Sequence, residues 1–226
     1  MSLKLYSHPL ASYCHKVLIA LYENRTPFEP VHVDLGNAQS RAAFVAVWPT
    51  GKMPVLVDER LGRTVPESSV MIEYLEQHYP GPVPLLPHDR DAQLNVRLWD
   101  RLLDSYVMSP MQSIVAQQLR SETQRDALVT SSSRETLDMA YELVERQLAD
   151  NVWAAGDAFT MADCAAAPAL FYASIVHPFP ASCRRLAEYH ERLMARPSVA
   201  RVLKEARPYF ELFPLKKDIP ARFLHD

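Results

Sequence analysis

The sequence predicts a chain of two units, an α/β unit followed by an all-α unit, on two observations. Strand-like and helix-like patterns alternate as far as residue 78, whereas every later periodic segment has helical spacing. Between the two units, residues 79–91 carry four prolines and one glycine, which is typical of a linker. We therefore assign residues 1–80 to the first domain, 81–91 to the linker and 92–226 to the second domain.

The first unit begins with a short strand at 3–6 and a helix at 13–24, in which Val17, Ala20 and Leu21 are helically spaced. Residues 28–34 alternate with period two and predict a strand, and residues 38–47 predict a helix. Strands at 53–58 and 63–65 form a hairpin, and a helix at 69–78 closes the unit. This order, βαβ, then α, then ββα, is the one that a thioredoxin-like fold requires.

The second unit contains only helical patterns. One long helix is predicted over 92–119, and further helices are predicted at 136–148, 183–195 and 198–206. The apolar positions of the long helix are Leu94, Leu98, Leu102, Val107 and Met111. Thr160 and Asp163 match a capping box in front of an alanine-rich helix, and we interpret both as a structural cap.

The composition limits the class of partner and the compartment. Of 226 residues, 48% are apolar and 23% are charged, and the net charge of −3 gives no reason to expect a nucleic acid or an anionic membrane. No apolar run is long enough to span a bilayer, and no signal-peptide pattern is present. Three cysteines argue against a disulfide framework and favour the cytoplasm. The eight histidines show no ligand-like pairing, so no metal is expected.

Residues 51–75 contain the most informative local pattern. Pro54 follows Met53 at the entrance to an apolar strand, where proline cannot donate to a ladder. A cis bond there would leave the Met53 N–H and C=O free to pair with an extended peptide. Ser68 begins the next helix, whose free N–H groups favour a carboxylate, and Glu67 offers a negative charge to an amine. Such a surface suits the γ-glutamyl end of glutathione.

The same segment belongs to an ordered set of motifs that covers nearly the whole chain. The motifs are LKLYSHP at 3–9, SYCHKVLIAL at 12–21, WPTGKMP at 48–54, VPESS at 65–69 and AGDAFTMADC at 155–164. In this order and at these separations, the chain closely resembles the soluble glutathione transferases, as a serine-type, bacterial-like member. The resemblance implies a thioredoxin-like domain followed by an all-α domain, and a homodimer. It also implies glutathione as co-substrate, no tightly bound cofactor and a role in detoxification.

The resemblance implies a role for each residue of the peptide-binding segment. Glu67 and Ser68 would hold the γ-glutamyl amine and carboxylate of glutathione. Met53, followed by Pro54, would contribute its backbone, and Lys52 would reach the glycine carboxylate. The implied reaction is conjugation of the glutathione thiolate to a hydrophobic electrophile.

Ser12 is the candidate for thiol activation, because conjugation needs a thiolate and a hydroxyl at a helix N-terminus can stabilise one. Two alternatives remain open. In the first alternative, Ser12 acts only as the N-cap of the helix, a common role of serine. Alternatively, backbone N–H groups share the work, since Ala11 occupies the place where many serine-type members carry their catalytic serine.

Cys14 supports a second hypothesis. Cysteine-type relatives place a reactive cysteine at the start of this helix, so glutathione-dependent reduction or isomerisation through Cys14 is an alternative activity. The first cysteine of a Cys-x-x-Cys motif is absent, and a buried cysteine behaves as a small apolar residue.

A third hypothesis is a non-catalytic binding protein with the same fold. His15 and Lys16 are interpreted as a solvated pair at the rim.

The resemblance places the electrophile pocket between the domains, under the first half of the long helix. Tyr106, Met108, Met111 and Gln112 fall there. Methionine-rich walls adapt to varied apolar ligands. We therefore expect the second substrate to be a small hydrophobic electrophile.

Overall fold

The first unit is α/β in the computed structural model, which describes residues 3–225. Its elements are β1 (Leu3–Ser7), α1 (Ser12–Glu23), β2 (Glu29–His32), α2 (Ala38–Val47), β3 (Val55–Asp58), β4 (Arg63–Pro66) and α3 (Ser68–His78). The predicted order of elements is confirmed. The largest difference in bounds concerns the second strand, predicted over 28–34, of which only four residues are in the ladder.

The four strands form one mixed sheet in the order β2-β1-β3-β4. β1 is parallel to β2 and antiparallel to β3, and β4 is antiparallel to β3. Leu3 and Leu5 on β1 are buried and alternate with half-buried Lys4 and Tyr6, as period two requires. Pro30 is accommodated because β2 lies at the sheet edge.

The second unit is helical, with α4 (Arg90–Leu103), α5 (Ser109–Gln118), α6 (Ala127–Gln147), α7 (Met161–Val176), α8 (Arg184–Met194) and α9 (Pro197–Ala206). The helix predicted over 92–119 is helical from Arg90 to Gln118, but a five-residue π turn, Asp104–Met108, divides it into α4 and α5, which the sequence does not predict. α6 begins nine residues before the predicted start, since Asp126 caps it by accepting from the Leu128 and Val129 N–H groups. Within residues 3–225, no helix has the length and apolar character needed to cross a membrane.

The predicted capping box precedes α7. Asp163 is fully buried, and its carboxylate accepts hydrogen bonds from the Ala154 N–H (2.9 Å), the Thr160 N–H (2.8 Å), the Thr160 hydroxyl (3.1 Å) and the Tyr189 hydroxyl (2.6 Å). Burial raises the pKa of Asp163, and these donors oppose the rise. All of its partners belong to the second unit, so Asp163 is a structural residue of that unit.

One apolar core runs through both units, with α1 packed against α7 and α9. The junction also carries polar contacts. The Glu23 carboxylate accepts two hydrogen bonds from the Arg196 guanidinium, at 2.7 and 2.6 Å, and one from the Ser198 hydroxyl. The Tyr22 hydroxyl donates to Glu205 at 2.6 Å. These contacts hold the C-terminal end of α1 beside the helical unit.

Candidate active site

A cavity of about 930 Å³ lies where the two units meet. The first unit contributes the loop before α1, the turn before β3 and the start of α3. The helical unit contributes the end of α4, the π turn and α5. The residues that border the cavity are His8, Leu10, Ala11, Tyr13, Val33, Asp34, Leu35, Gly36, Trp48, Thr50, Gly51, Lys52, Met53, Pro54, Pro66, Glu67, Ser68, Ser69, Val70, Arg101, Asp104 and Gln112.

The structure brings together all five residues that the sequence predicts for glutathione: Lys52, Met53, Pro54, Glu67 and Ser68 border this one cavity. The Met53–Pro54 peptide bond is cis. The ladder of β3 begins only at Val55, paired with Tyr6 and Pro66, so Met53 precedes the paired residues. We refer to these five residues of the cavity border as the predicted peptide-binding edge.

Glu67 has an unusual backbone conformation directly before α3. Its φ is 65° and its ψ is 115°, a region that costs a non-glycine residue about 1–3 kcal/mol. Such strain persists where the surrounding structure fixes it, and it is concentrated at binding and catalytic sites. Ser68 follows as the first residue of α3, so that the helix N-terminus opens onto the cavity beside the Glu67 carboxylate.

Ser12 is the first residue of α1, and Ala11 occupies the N-cap position. The alternative in which Ser12 is the N-cap is therefore wrong. Its side chain is buried, with 4% of the residue exposed, and its Oγ accepts a hydrogen bond from Gln112 Nε2 at 2.9 Å. Ala11 and Tyr13 border the cavity on either side of it. Ser12 thus lies directly behind the cavity surface, in contact with a residue of α5.

Cys14 is fully buried, and burial raises the pKa of its thiol to about 12. A thiol with this pKa is protonated at neutral pH and is a poor nucleophile. Cys164 and Cys183 are also buried and free. The structure therefore gives no support to the reductase and isomerase alternatives through Cys14.

The predicted apolar wall of the electrophile pocket is not at the cavity. Met108 and Met111 are buried in the core, with 0% and 2% of their surface exposed. Tyr106 is exposed to solvent and does not border the cavity. The physical reason is the π turn, which holds one more residue than an α turn. Each later side chain is rotated by roughly 100° from its place in an uninterrupted helix. Gln112 then faces the cavity, as the sequence predicts, and Met111 faces the core.

Lys16 was not anticipated as a buried residue, and the interpretation of a solvated pair with His15 is wrong. Lys16 is fully buried, and its Nζ lies 2.6 Å from Asp100 Oδ1 and 2.7 Å from Asp104 Oδ2. It also donates to Ser69 Oγ at 2.8 Å, and Ser69 donates to Asp100 at 2.6 Å. Burial raises the pKa of Asp104, and the Lys16 charge opposes this. This charge cluster joins α1, α3, α4 and the π turn below the cavity.

The sequence of α1 contains a pattern that indicates the burial of Lys16. From Cys14 to Leu21, α1 has apolar residues on all sides, and a helix of this kind is buried all round. A lysine in such a helix needs carboxylate partners. His15 is buried as well, and its ring bonds to the Pro9 carbonyl at 2.5 Å, while the Tyr172 hydroxyl donates to the Leu10 carbonyl at 3.2 Å. These two contacts fix the loop in front of Ser12.

The C-terminal segment reaches the cavity rim. Tyr209 stacks on His32, with ring centroids 5.7 Å apart, and makes an edge contact with His8 at 5.6 Å. Burial and the neighbouring His32 lower the pKa of His8, which favours the uncharged form of its ring at neutral pH. Among residues 3–225, no cluster of three or more His, Cys, Asp or Glu side chains is arranged to hold a metal ion.

Comparison with known proteins agrees with this geometry. The family model described as glutathione S-transferase, N-terminal domain, matches residues 5–83, and the model of the C-terminal domain matches residues 115–192. Glutathione S-transferase 3 of Zea mays is 32% identical over 205 residues, which are 87% of this chain and 90% of that protein. The chain belongs to the glutathione transferase family.

Other similar proteins have names that differ in the function they state. A glutathione S-transferase of Methylobacillus flagellatus, solved with GSH bound, has a TM-score of 0.80 and 26% identity, over 89% of this chain and 98% of that one. A stringent starvation protein A homolog of Coxiella burnetii is 28% identical over 207 residues, 89% of this chain and 91% of that protein. Membership of the glutathione transferase family therefore fixes the fold of this chain and leaves its reaction to be tested.

Proposed function

We propose that this protein conjugates the thiolate of glutathione to an electrophile. The observation that carries the proposal is a single cavity that unites the five predicted peptide-binding residues with the N-terminus of α1. A relative crystallised with GSH supports glutathione as the co-substrate. No tightly bound cofactor is part of the proposal.

Glutathione is held as an extended peptide along the edge formed by Met53 and Pro54. The γ-glutamyl ammonium pairs with Glu67, and its carboxylate accepts from Ser68 and from the N–H groups that begin α3. Lys52 pairs with the glycine carboxylate. In this orientation, the cysteine thiol lies toward Ala11, Ser12 and Tyr13, where the dipole of α1 favours negative charge.

Ser12 stabilises the thiolate by donating its hydroxyl hydrogen to sulfur. Gln112 supports this role, since its amide occupies an acceptor site of Ser12 Oγ and leaves the hydroxyl hydrogen for the thiolate. The thiol proton passes to solvent, the sulfur forms a bond to the electrophilic carbon, and the leaving group departs with its electron pair. Positioning the two reactants together supplies a further part of the rate.

The first experiment is a titration with glutathione, followed by the ultraviolet absorbance of the bound thiolate. The matched variants are Ser12→Ala and Cys14→Ala. We expect thiolate in the wild type and in Cys14→Ala, and its loss in Ser12→Ala. Thiolate that persists in Ser12→Ala would assign the role to backbone amides, and loss in Cys14→Ala would favour chemistry at that thiol.

A second candidate is a non-catalytic protein of the same fold. The observation that favours it is the similarity to a stringent starvation protein A homolog, whose name states no transfer reaction. The intact peptide-binding edge argues against it, because a scaffold has no need of an ammonium site beside a carboxylate site. Failure to bind glutathione in the titration would contradict the conjugation proposal and favour this second candidate.

We further propose a cytoplasmic homodimer. Val70 on α3 and Leu94 and Leu98 on α4 are 54%, 66% and 52% exposed, although the sequence places both leucines on an apolar helix face. A second copy that places its own α3 and α4 against these residues would bury them. The three buried, unpaired cysteines fit a reducing compartment.

A further inference from the structure

The side of the cavity formed by the helical unit is polar. Within the described part of the chain, that unit contributes three residues to the cavity border, namely Arg101, Asp104 and Gln112. Arg101 and Asp104 are three residues apart and share a helix face, and the extra residue of the π turn brings Gln112 to that face. The apolar methionines that follow are turned into the core. A purely apolar electrophile would therefore leave these polar groups poorly solvated.

Two of the three residues already have partners. Asp104 lies 2.7 Å from the buried Lys16, and Gln112 donates to Ser12. The Arg101 guanidinium differs, because in a single chain it is exposed and has no hydrogen bond or ion pair with any of the described residues 3–225. The positive charge of Arg101 nevertheless affects the pKa of a neighbouring side chain. Burial raises the pKa of Tyr13 to about 12, an effect that Asp104 reinforces and Arg101 opposes.

The charge cluster beside Arg101 weakens its attraction for an anion less than two free carboxylates would, although Arg101 is near enough to Asp104 to oppose the rise that burial causes in the pKa of that carboxyl. Lys16 contacts a carboxylate oxygen of both Asp100 and Asp104, within 2.7 Å, and so offsets part of their negative charge. Arg101 and Asp104 both border the cavity, but the Asp104 carboxylate is buried against Lys16, whereas Arg101 is exposed. An anion that enters the cavity therefore meets the planar donor group of Arg101, which matches a carboxylate or sulfonate in two parallel hydrogen bonds.

We propose that Arg101 binds an anionic group on the second substrate, so that the preferred electrophile carries a carboxylate or sulfonate in addition to its reactive carbon. The proposal rests on the proposed conjugation reaction and replaces the purely hydrophobic electrophile expected from the sequence. Tyr13, whose side chain borders the same region, provides the apolar ring against which the body of such a substrate packs. Arg101 thus acts in substrate selection, and the thiol is activated elsewhere.

The test compares two electrophiles that differ by one charge, a neutral chlorodinitrobenzene and the corresponding chlorodinitrobenzoate. Each enzymatic kcat/KM is divided by the uncatalysed rate constant with glutathione. In Arg101→Gln, we expect a loss of about 10- to 100-fold for the benzoate and less than about twofold for the neutral compound. Arg134→Gln is the matched control, since Arg134 is exposed on α6 and does not border the cavity.

Equal losses for the two electrophiles, or no loss for either, would overturn the proposal. So would a parallel rise in the KM for glutathione, because Arg101 would then bind a carboxylate of glutathione itself. A second measurement separates this inference from the proposed reaction. The glutathione conjugates of both electrophiles are titrated by calorimetry, which requires no turnover.

Tighter binding of the carboxylated conjugate, lost in Arg101→Gln, would support the inference even in a protein that conjugates neither electrophile. Equal binding of the two conjugates to the wild type would contradict the inference. If the protein conjugates both electrophiles but binds the two conjugates equally, the transferase reaction is supported and selection by charge is contradicted. The proposed conjugation reaction and the proposed role of Arg101 are therefore contradicted by different experimental results.

Discussion

Gln112 is the residue through which the helical unit acts on the proposed thiol site. It borders the cavity and donates to Ser12 at 2.9 Å, so that one amide links α5 to the first residue of α1. The sequence places Gln112 in the pocket region and gives no indication of the contact with Ser12. That contact depends on the π turn, which a count of residues along an uninterrupted helix does not include.

Substituting Gln112→Ala removes the donor that orients the Ser12 hydroxyl. We expect kcat/KM for conjugation to fall about 3- to 10-fold, and the pKa of bound glutathione, read from the pH profile of thiolate absorbance, to rise. Glutathione affinity stays nearly constant, since Gln112 lies outside the peptide-binding edge. Gln118→Ala, on the same helix but away from the cavity, is the control. A change in glutathione affinity without a change in the thiol pKa would contradict the role.

The peptide-binding residues could be predicted one by one because their chemistry is local. Met53 and Pro54 are adjacent in sequence, as are Glu67 and Ser68, and the turn and the helix start that present them follow from short-range patterns. Lys16 could not be placed in the same way. Its partners Asp100 and Asp104 are more than eighty residues away, so only the folded contact of α1 with α4 shows which carboxylates pair with the buried lysine.

At the scale of elements, the Lys16 cluster holds α1 to α3, α4 and the π turn. Removing one partner of a buried ion pair typically costs 3–5 kcal/mol, since a buried charge is left uncompensated. This lysine therefore contributes to the packing of α1 against α4 and the π turn beside the cavity.

In Lys16→Met, we expect the free energy of unfolding to fall by about 3–5 kcal/mol at about pH 8 and by clearly less at about pH 5. Burial already raises the pKa of Asp104, and loss of Lys16 raises it further. The folded variant then favours the neutral acid, so its penalty is absent below the unfolded pKa and grows as the pH rises toward the folded pKa. Urea unfolding at both pH values measures this.

Lys217→Met serves as the control for that experiment, because Lys217 is exposed near the C-terminus and its loss is expected to change stability little. A penalty in Lys16→Met that is independent of pH would show that its packing, and not its charge, matters. Such a result would contradict the ion-pair account.

For the whole molecule, element order and the two-unit architecture follow from the sequence, because periodicity, proline clusters and family motifs all report on them. The solvent exposure of individual apolar side chains follows less directly from the sequence. Leu94 and Leu98 have the spacing of core residues, yet more than half of each is exposed. An apolar helix face indicates burial against something, and the pattern alone does not distinguish the chain's own core from a second copy.

The proposed homodimer gives a prediction at this scale. In the double variant Leu94→Glu and Leu98→Glu, two charges are placed on the exposed face of α4, and we expect sedimentation to show a monomer where the wild type is a dimer. Leu128→Glu, at a site 79% exposed on α6, is the control and should leave the dimer intact. A wild type that sediments as a monomer would contradict the proposal.

The π turn also bears on how this chain is aligned with its relatives. A relative whose helix passes this point without a π turn has one residue fewer between the counterparts of Asp104 and Gln112. An alignment without a gap would pair its cavity-facing residue with Met111, which lies in the core here. With a single gap inside Asp104–Met108, Gln112 is compared with the residue that occupies the same place in space. Substrate preferences transferred from one family member to another depend on where that gap is put.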